Sequence, residues 1–129
     1  MLEWDNKYEL GNTRIDVEHR IFFELMIDFQ QASLQGASKD KQLRVLSEIA
    51  KYADFHFLSE ENIMEDFNYP DKAHHASLHQ SILANLNNMI HEFRRENISA
   101  TEIFEFLFQW FALHTSSEDK KLVGFISNK

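Results

Sequence analysis

The chain has 129 residues, no cysteine, three Gly, one Pro and a formal net charge of −8 at pH 7. That length reads as one domain over 1–129, and twelve Phe with two Trp supply the apolar area for a sizeable core. Disulfides, thiolate nucleophiles and iron–sulfur ligation are excluded, and the acidic balance argues against a nucleic-acid or anionic-membrane surface, which needs clustered Lys and Arg.

The start, Met1-Leu2-Glu3-Trp4-Asp5, has neither the basic nor the apolar region of a signal peptide, and no apolar run approaches a membrane span, so a cytoplasmic protein is expected. An irregular arm through about Asn12 leads to a first helix, predicted over 13–34, with Ile15, His19, Phe22, Met26 and Phe29 on its buried stripe. Gly36 stands where a helix should stop. A second helix, predicted over 39–66, buries Val45, Ile49, Ala53, His56, Glu60 and Ile63, with Phe67 just beyond it on the same stripe. Asn68-Tyr69-Pro70 then breaks the chain and restarts it, since Pro is tolerated in a first turn and not inside a helix. The third helix, predicted over 71–96, carries His75, Leu78, His79, Ile82, Leu86, Met89 and Phe93 at offsets of three and four. Ser99-Ala100-Thr101-Glu102 has the form of a capping box and opens a fourth helix with the stripe Ile103, Leu107, Trp110, Phe111 and His114. The fold expected is all-α, an antiparallel up-down-up-down four-helix bundle with an irregular N-terminal arm.

Antiparallel packing brings the histidines to one end. At about 1.5 Å rise per residue, His19 near the start of helix one lies level with His56 and Glu60 in the last third of helix two, His75 and His79 in the first turns of helix three, and His114 near the finish of helix four. One histidine on an apolar stripe is more often a satisfied core residue than a ligand. Five in one layer with two carboxylates reverse that expectation, because so many unpaired polar groups would be costly in a core. His74 and His91 fall off the stripe and read as surface residues. The acidic run Glu60-Glu61 with Glu65-Asp66 reads as a solvated face, Glu60 excepted, and Trp110 reads equally well as packing or as a gate.

Spacing adds chemistry to position. Residues four apart share a helix face, so His75 and His79 can bind one cation together, and His56 with Glu60 can present a nitrogen and an oxygen. His114 and Asp119 are five apart, about 140° off in a regular helix, so Asp119 can point inward only if Thr115-Ser116-Ser117 loosens into a π-type turn or leaves the helix. By ligand type alone, imidazole with carboxylate suits iron, zinc, copper or nickel. Five nitrogens and two carboxylates are too many for one tetrahedral zinc, and they fit two octahedral irons bridged by both carboxylates and a solvent oxygen, with one position open. No Glu has a His three residues later, so the ferritin-like pattern is absent.

His19, His56-x-x-x-Glu60, His75-x-x-x-His79 and His114-x-x-x-x-Asp119, with Trp4-Asp5, Ile15-Asp16, Tyr69-Pro70 and Trp110 around them, resemble the bacterial hemerythrins over nearly the whole chain. The resemblance implies two non-heme Fe ions, one held by His75, His79 and His114 and one by His19 and His56, with Glu60 and Asp119 bridging. It implies dioxygen as partner at the vacant position of the second iron, where small anions can also bind. The protein's part is then to hold the geometry and keep the pocket dry, with Phe22, Phe23, Trp110 and Phe111 as expected walls, and with Leu78, Leu113 and Thr115 nearby. Relatives usually read Trp-Leu where this chain has Trp110-Phe111, and Ile where it has Thr115, so altered dioxygen affinity or faster autoxidation is expected. Glu18, often glutamine in relatives, is expected to matter less because it flanks its ligand on a different face.

The function expected is reversible dioxygen binding for carriage, storage or delivery, without enzymatic turnover and as a monomer. Two alternatives stand beside it: an oxygen or redox sensor module of a signalling protein, and a di-iron peroxidase or oxidase in which Thr115 positions a substrate or proton. A chain running from Met1 to Lys129 without a linker favours the stand-alone carrier.

Overall fold

The structure, a computed structural model, describes residues 3–128. Four helices form the bundle: α1 (Thr13–Leu34), α2 (Lys39–Asp66), α3 (Lys72–Arg94) and α4 (Ala100–His114). A π-helical turn, Thr115–Asp119, carries α4 on into α5 (Lys120–Ser127), and a short 3-10 turn, Asn6–Tyr8, lies in the N-terminal arm. Helix α1 packs against α2 and α4, α2 against α3, and α3 against α4, as in the predicted bundle.

The helix starts follow from their caps. Asn12 Oδ1 accepts the backbone N–H of Ile15 at 3.0 Å, Ser38 Oγ that of Lys41 at 3.1 Å, and Ser99 Oγ that of Glu102 at 3.1 Å. The stops share one geometry. Gly36 (φ 73°), Asn68 (φ 53°) and Glu96 (φ 64°) take the left-handed conformation, and the next residue's N–H closes back on Ala32, Met64 or Glu92 at 2.9 Å. Only the first of these stops uses glycine, the residue for which that conformation is free of a Cβ penalty. This corrects the third helix, predicted over 71–96: Glu96 belongs to its stop and Asp71 is its N-cap residue, so Pro70 lies in the turn before it. Phe67 is corrected as well, since it is the C-cap residue of α2 at the edge of the bundle and remains 36% exposed.

Two apolar clusters enclose a polar layer. The larger runs from Phe22, Phe23, Met26 and Phe29 across to Leu46, Ile49, Ala53, Phe57, Leu86, Phe93, Ile103, Leu107 and Phe111. The smaller, Ile15, Met64, Tyr69, Leu122 and Val123, closes the other side. Its members precede His19 and His75 and follow Glu60 and Asp119 in the chain, so the polar layer lies between the two clusters. The arm is pinned by Asp16, whose carboxylate accepts the backbone N–H groups of Leu10 (2.8 Å) and Gly11 (3.1 Å). Trp4 and Tyr8 thereby rest on Phe23 and Phe111, with ring centroids 5.3–6.4 Å apart. Among the described residues no helix is long and apolar enough to cross a membrane.

Candidate metal centre

All seven predicted donors converge, and all are buried: His19, His56, Glu60, His75, His79, His114 and Asp119. The π-helical turn is what admits the last of them. Its hydrogen bonds span one residue more than those of an α-helix, so the residue five after His114 returns to the inner face, where the carboxyl group of Asp119 is 1% exposed.

Each imidazole presents Nε2 to the centre. Glu60 Oε1 stands 3.2 Å from His75 Nε2 and 3.1 Å from His79 Nε2, while Glu60 Oε2 stands 3.6 Å from His19 Nε2 and 3.3 Å from His56 Nε2. Asp119 divides in the same way: Oδ1 lies 3.0 Å from both His75 and His114, and Oδ2 lies 3.0 Å from His19. The donors therefore form two groups, one with His75, His79 and His114 and the other with His19 and His56, and both groups include Glu60 and Asp119.

These contacts are close without being satisfied. Both ring nitrogens of His19 and of His75, and both oxygens of Glu60 and of Asp119, are buried without a hydrogen-bond partner. Orphaned polar atoms cost roughly 1–3 kcal/mol each, more when charged, so a group of this kind needs something else to satisfy it. Burial opposes charge here, yet the neighbours outweigh it. Desolvation pulls His56 down, but the carboxylates of Glu60 and Glu18 raise its pKa to about 10. His75 is raised to about 9 in the same way beside Asp119 and Glu60, and His19 is raised by the same pair. Desolvation pushes Glu60 and Asp119 up, and the surrounding imidazoles nevertheless hold both carboxyls below their ordinary range. The centre stabilises positive charge, and neutral imidazoles with ionised carboxylates are a donor set that fits cations.

Outer partners fix two of the rings. His56 Nδ1 donates to Glu18 Oε1 at 2.7 Å, and Ser59 Oγ donates to Glu18 Oε2 at 2.8 Å. His79 Nδ1 donates to Glu61 Oε2 at 2.9 Å, and its ring stacks on Phe57 with centroids 4.0 Å apart. Such bonds select the tautomer that leaves Nε2 free for the centre. Two expectations are corrected here. Glu18 does not merely flank a ligand, because it is itself buried against His56 on the neighbouring helix, and the approach of α1 to α2 puts it there. Glu61, placed on the mostly solvated acidic face, is only half-exposed and reaches across to His79 on α3. No spacing within one helix signals either pairing. Phe57, next to His56, was likewise missed.

The walls are aromatic but unequally placed. Phe111 meets His19 edge-on at 5.8 Å and stacks against Phe22 at 6.2 Å, with Phe23 behind it. Trp110 links this wall to the other imidazole group, edge-on to Phe22 at 4.5 Å and to Phe57 at 5.3 Å, and 6.1 Å from the His114 ring. Leu78 and Leu113 line an outer hollow with Trp110, His114, Ser117 and Glu118, away from His19. The side chain of Thr115 lies outside the described ones. His74 and His91 are exposed, as expected.

A family model described as Hemerythrin HHE cation binding domain matches residues 10–126. A bacteriohemerythrin of Clostridium acetobutylicum is 26% identical over 128 residues, covering 95% of this chain and 99% of its own. A hemerythrin-like protein of Naegleria gruberi is 25% identical over 121 residues, with 94% and 90% covered. A myohemerythrin of Theromyzon tessulatum is 22% identical over 122 residues, with 95% and 91% covered.

Proposed function

The chain belongs to the hemerythrin HHE cation-binding domain family, and from that premise we propose that its buried centre holds two iron ions and binds dioxygen reversibly, for carriage, storage or delivery. His75, His79 and His114 would hold one ion, His19 and His56 the other, and Glu60 and Asp119 would span both. One observation carries this reading: each shared carboxylate turns one oxygen toward one imidazole group and its second oxygen toward the other. A single ion would leave that division unused. When bound in the ferrous state, such a pair supplies the two electrons that reversible dioxygen binding draws on.

The chain's own residues do the rest. Glu18 accepts the Nδ1–H of His56 and Glu61 accepts that of His79, which fixes both rings in orientation with Nε2 toward the centre. Phe111, Phe22 and Phe23, roofed by Trp4 and Tyr8, exclude water on the His19 side, where the donor group has two imidazoles against three on the other. Fewer protein donors there leave room for a small ligand.

The test is anaerobic reduction followed by admission of dioxygen, followed in the near-ultraviolet and visible, with iron counted in the same sample. Two irons per chain and a band that forms with dioxygen and disappears on its removal are expected. Fewer than two irons, or conversion to the ferric form without a reversible band, would overturn the proposal.

A further inference from the structure

We propose that Asp71, His74 and Glu118 form a second, exposed site for one divalent cation such as ferrous iron or zinc, from which the buried centre is loaded. The three side chains each offer one ligand atom, and these atoms lie within 4.8 Å of one another. His74 Nε2 and Glu118 Oε2 are 4.0 Å apart, too far for a hydrogen bond. Two ligand atoms each about 2.0–2.2 Å from a zinc ion stand about 3–4 Å apart, so the gap suits an ion between them. One imidazole with two carboxylates is a donor set for borderline cations and not for calcium, which prefers oxygen alone.

Two of the donors are left short of partners. Asp71 is the N-cap residue of α3, a position where Asp usually turns its carboxylate onto the helix, yet its side chain makes no capping bond. Glu118 Oε2 is a buried atom without a hydrogen-bond partner, while Oε1 of the same group meets Lys121 Nζ at 3.5 Å. Lys121 and the positive end of α3 both oppose a cation here, so binding is weak and exchangeable. A loading site needs that property, because a tight one would keep its ion.

Position ties this site to the centre. His74 precedes His75, and Glu118 precedes Asp119, so the same two backbone segments carry both sets of donors. Neighbouring residues on a helix point about 100° apart, which sends His74 to the surface and His75 inward. His75 is 0% exposed and Asp119 is 1% exposed, so an ion cannot reach them from solvent without local opening. The three donors lie on the first turn of α3 and its N-cap and on the π-helical turn, the two segments that also carry His75 and Asp119.

The existence of the site is independent of the two-iron reading, whereas its loading role rests on it. The experiment compares the full chain with its Asp71→Asn and His74→Ala variants, both changes falling at exposed side chains. Metal-free protein is titrated with zinc by calorimetry, without a competing chelator and at concentrations that fill a weak site, and the number bound per chain is read. Each variant is expected to bind one zinc fewer than the parent while keeping its helical content, and equal stoichiometry would overturn the site. The difference can be read whether or not the buried centre takes two irons. Stopped-flow uptake of ferrous iron is then expected to be several-fold slower in both variants, with the same final iron count. Equal rates would overturn the loading role, and a parent that takes up no iron would remove the premise of that role while leaving the zinc result to decide the site.

Discussion

The two halves of the centre share their carboxylates and differ in most of what stands behind the imidazoles, although Phe57 touches a ring of each. His75, His79 and His114 are backed by Glu61, by the face of Phe57 and by Trp110. His19 and His56 are backed by Glu18 and Ser59 on one side and by the aromatic wall of Phe111 and Phe22 on the other. On the proposed reading, the half richer in nitrogen donors would anchor its ion and the half poorer in them would leave a position for dioxygen, so that an asymmetry of one imidazole would separate the two roles.

Removing what the halves share should have the largest effect. Glu60 faces four of the five imidazoles, so Glu60→Ala should bring iron content, measured on the gel-filtered protein, to background in both halves. Retention of two irons would show that it bridges nothing. His114→Ala or His79→Ala should cost only the ion of the three-imidazole half, giving about one iron per chain where one imidazole fixes that stoichiometry. Loss of both irons would erase the distinction between the halves.

The next effect tests the support behind the poorer half. Glu18→Ala removes the acceptor of His56 Nδ1 and should weaken the second iron by about 10–100-fold, read by competition with a chelator. Glu18→Gln keeps an acceptor oxygen without the charge and should fall between that variant and the parent. The smallest change should come from Phe111→Leu, which trims the wall beside His19. Both irons should remain, the melting transition should report a loss on the order of 1 kcal/mol, and the lifetime of the oxygenated form should change. An unchanged lifetime would place the approach to the centre elsewhere.

Much of this molecule is legible in one dimension because helices translate spacing into direction. The offsets of three and four in α1 to α4 fix which residues are buried, and the levels of His19, His56, His75, His79 and His114 follow from their distances to the helix ends. Even the π-helical turn is foreshadowed, since Asp119 stands five residues after His114. The stops are less readable. Asn68 and Glu96 take left-handed backbone without the glycine that would mark it, so the end of α3 falls two residues before its predicted place.

What the sequence determined by itself, then, is the bundle, the register of its faces and the convergence of seven donors on one layer, all of them consequences of periodicity within single helices. Tertiary structure alone decided the pairing between helices. It turned Glu18 toward His56 and Glu61 toward His79, laid the arm across Phe23 and Phe111, and divided the oxygens of Glu60 and Asp119 between two imidazole groups. Those contacts join residues 18 to 38 positions apart for the outer carboxylates, and no local period encodes a partner at such a distance.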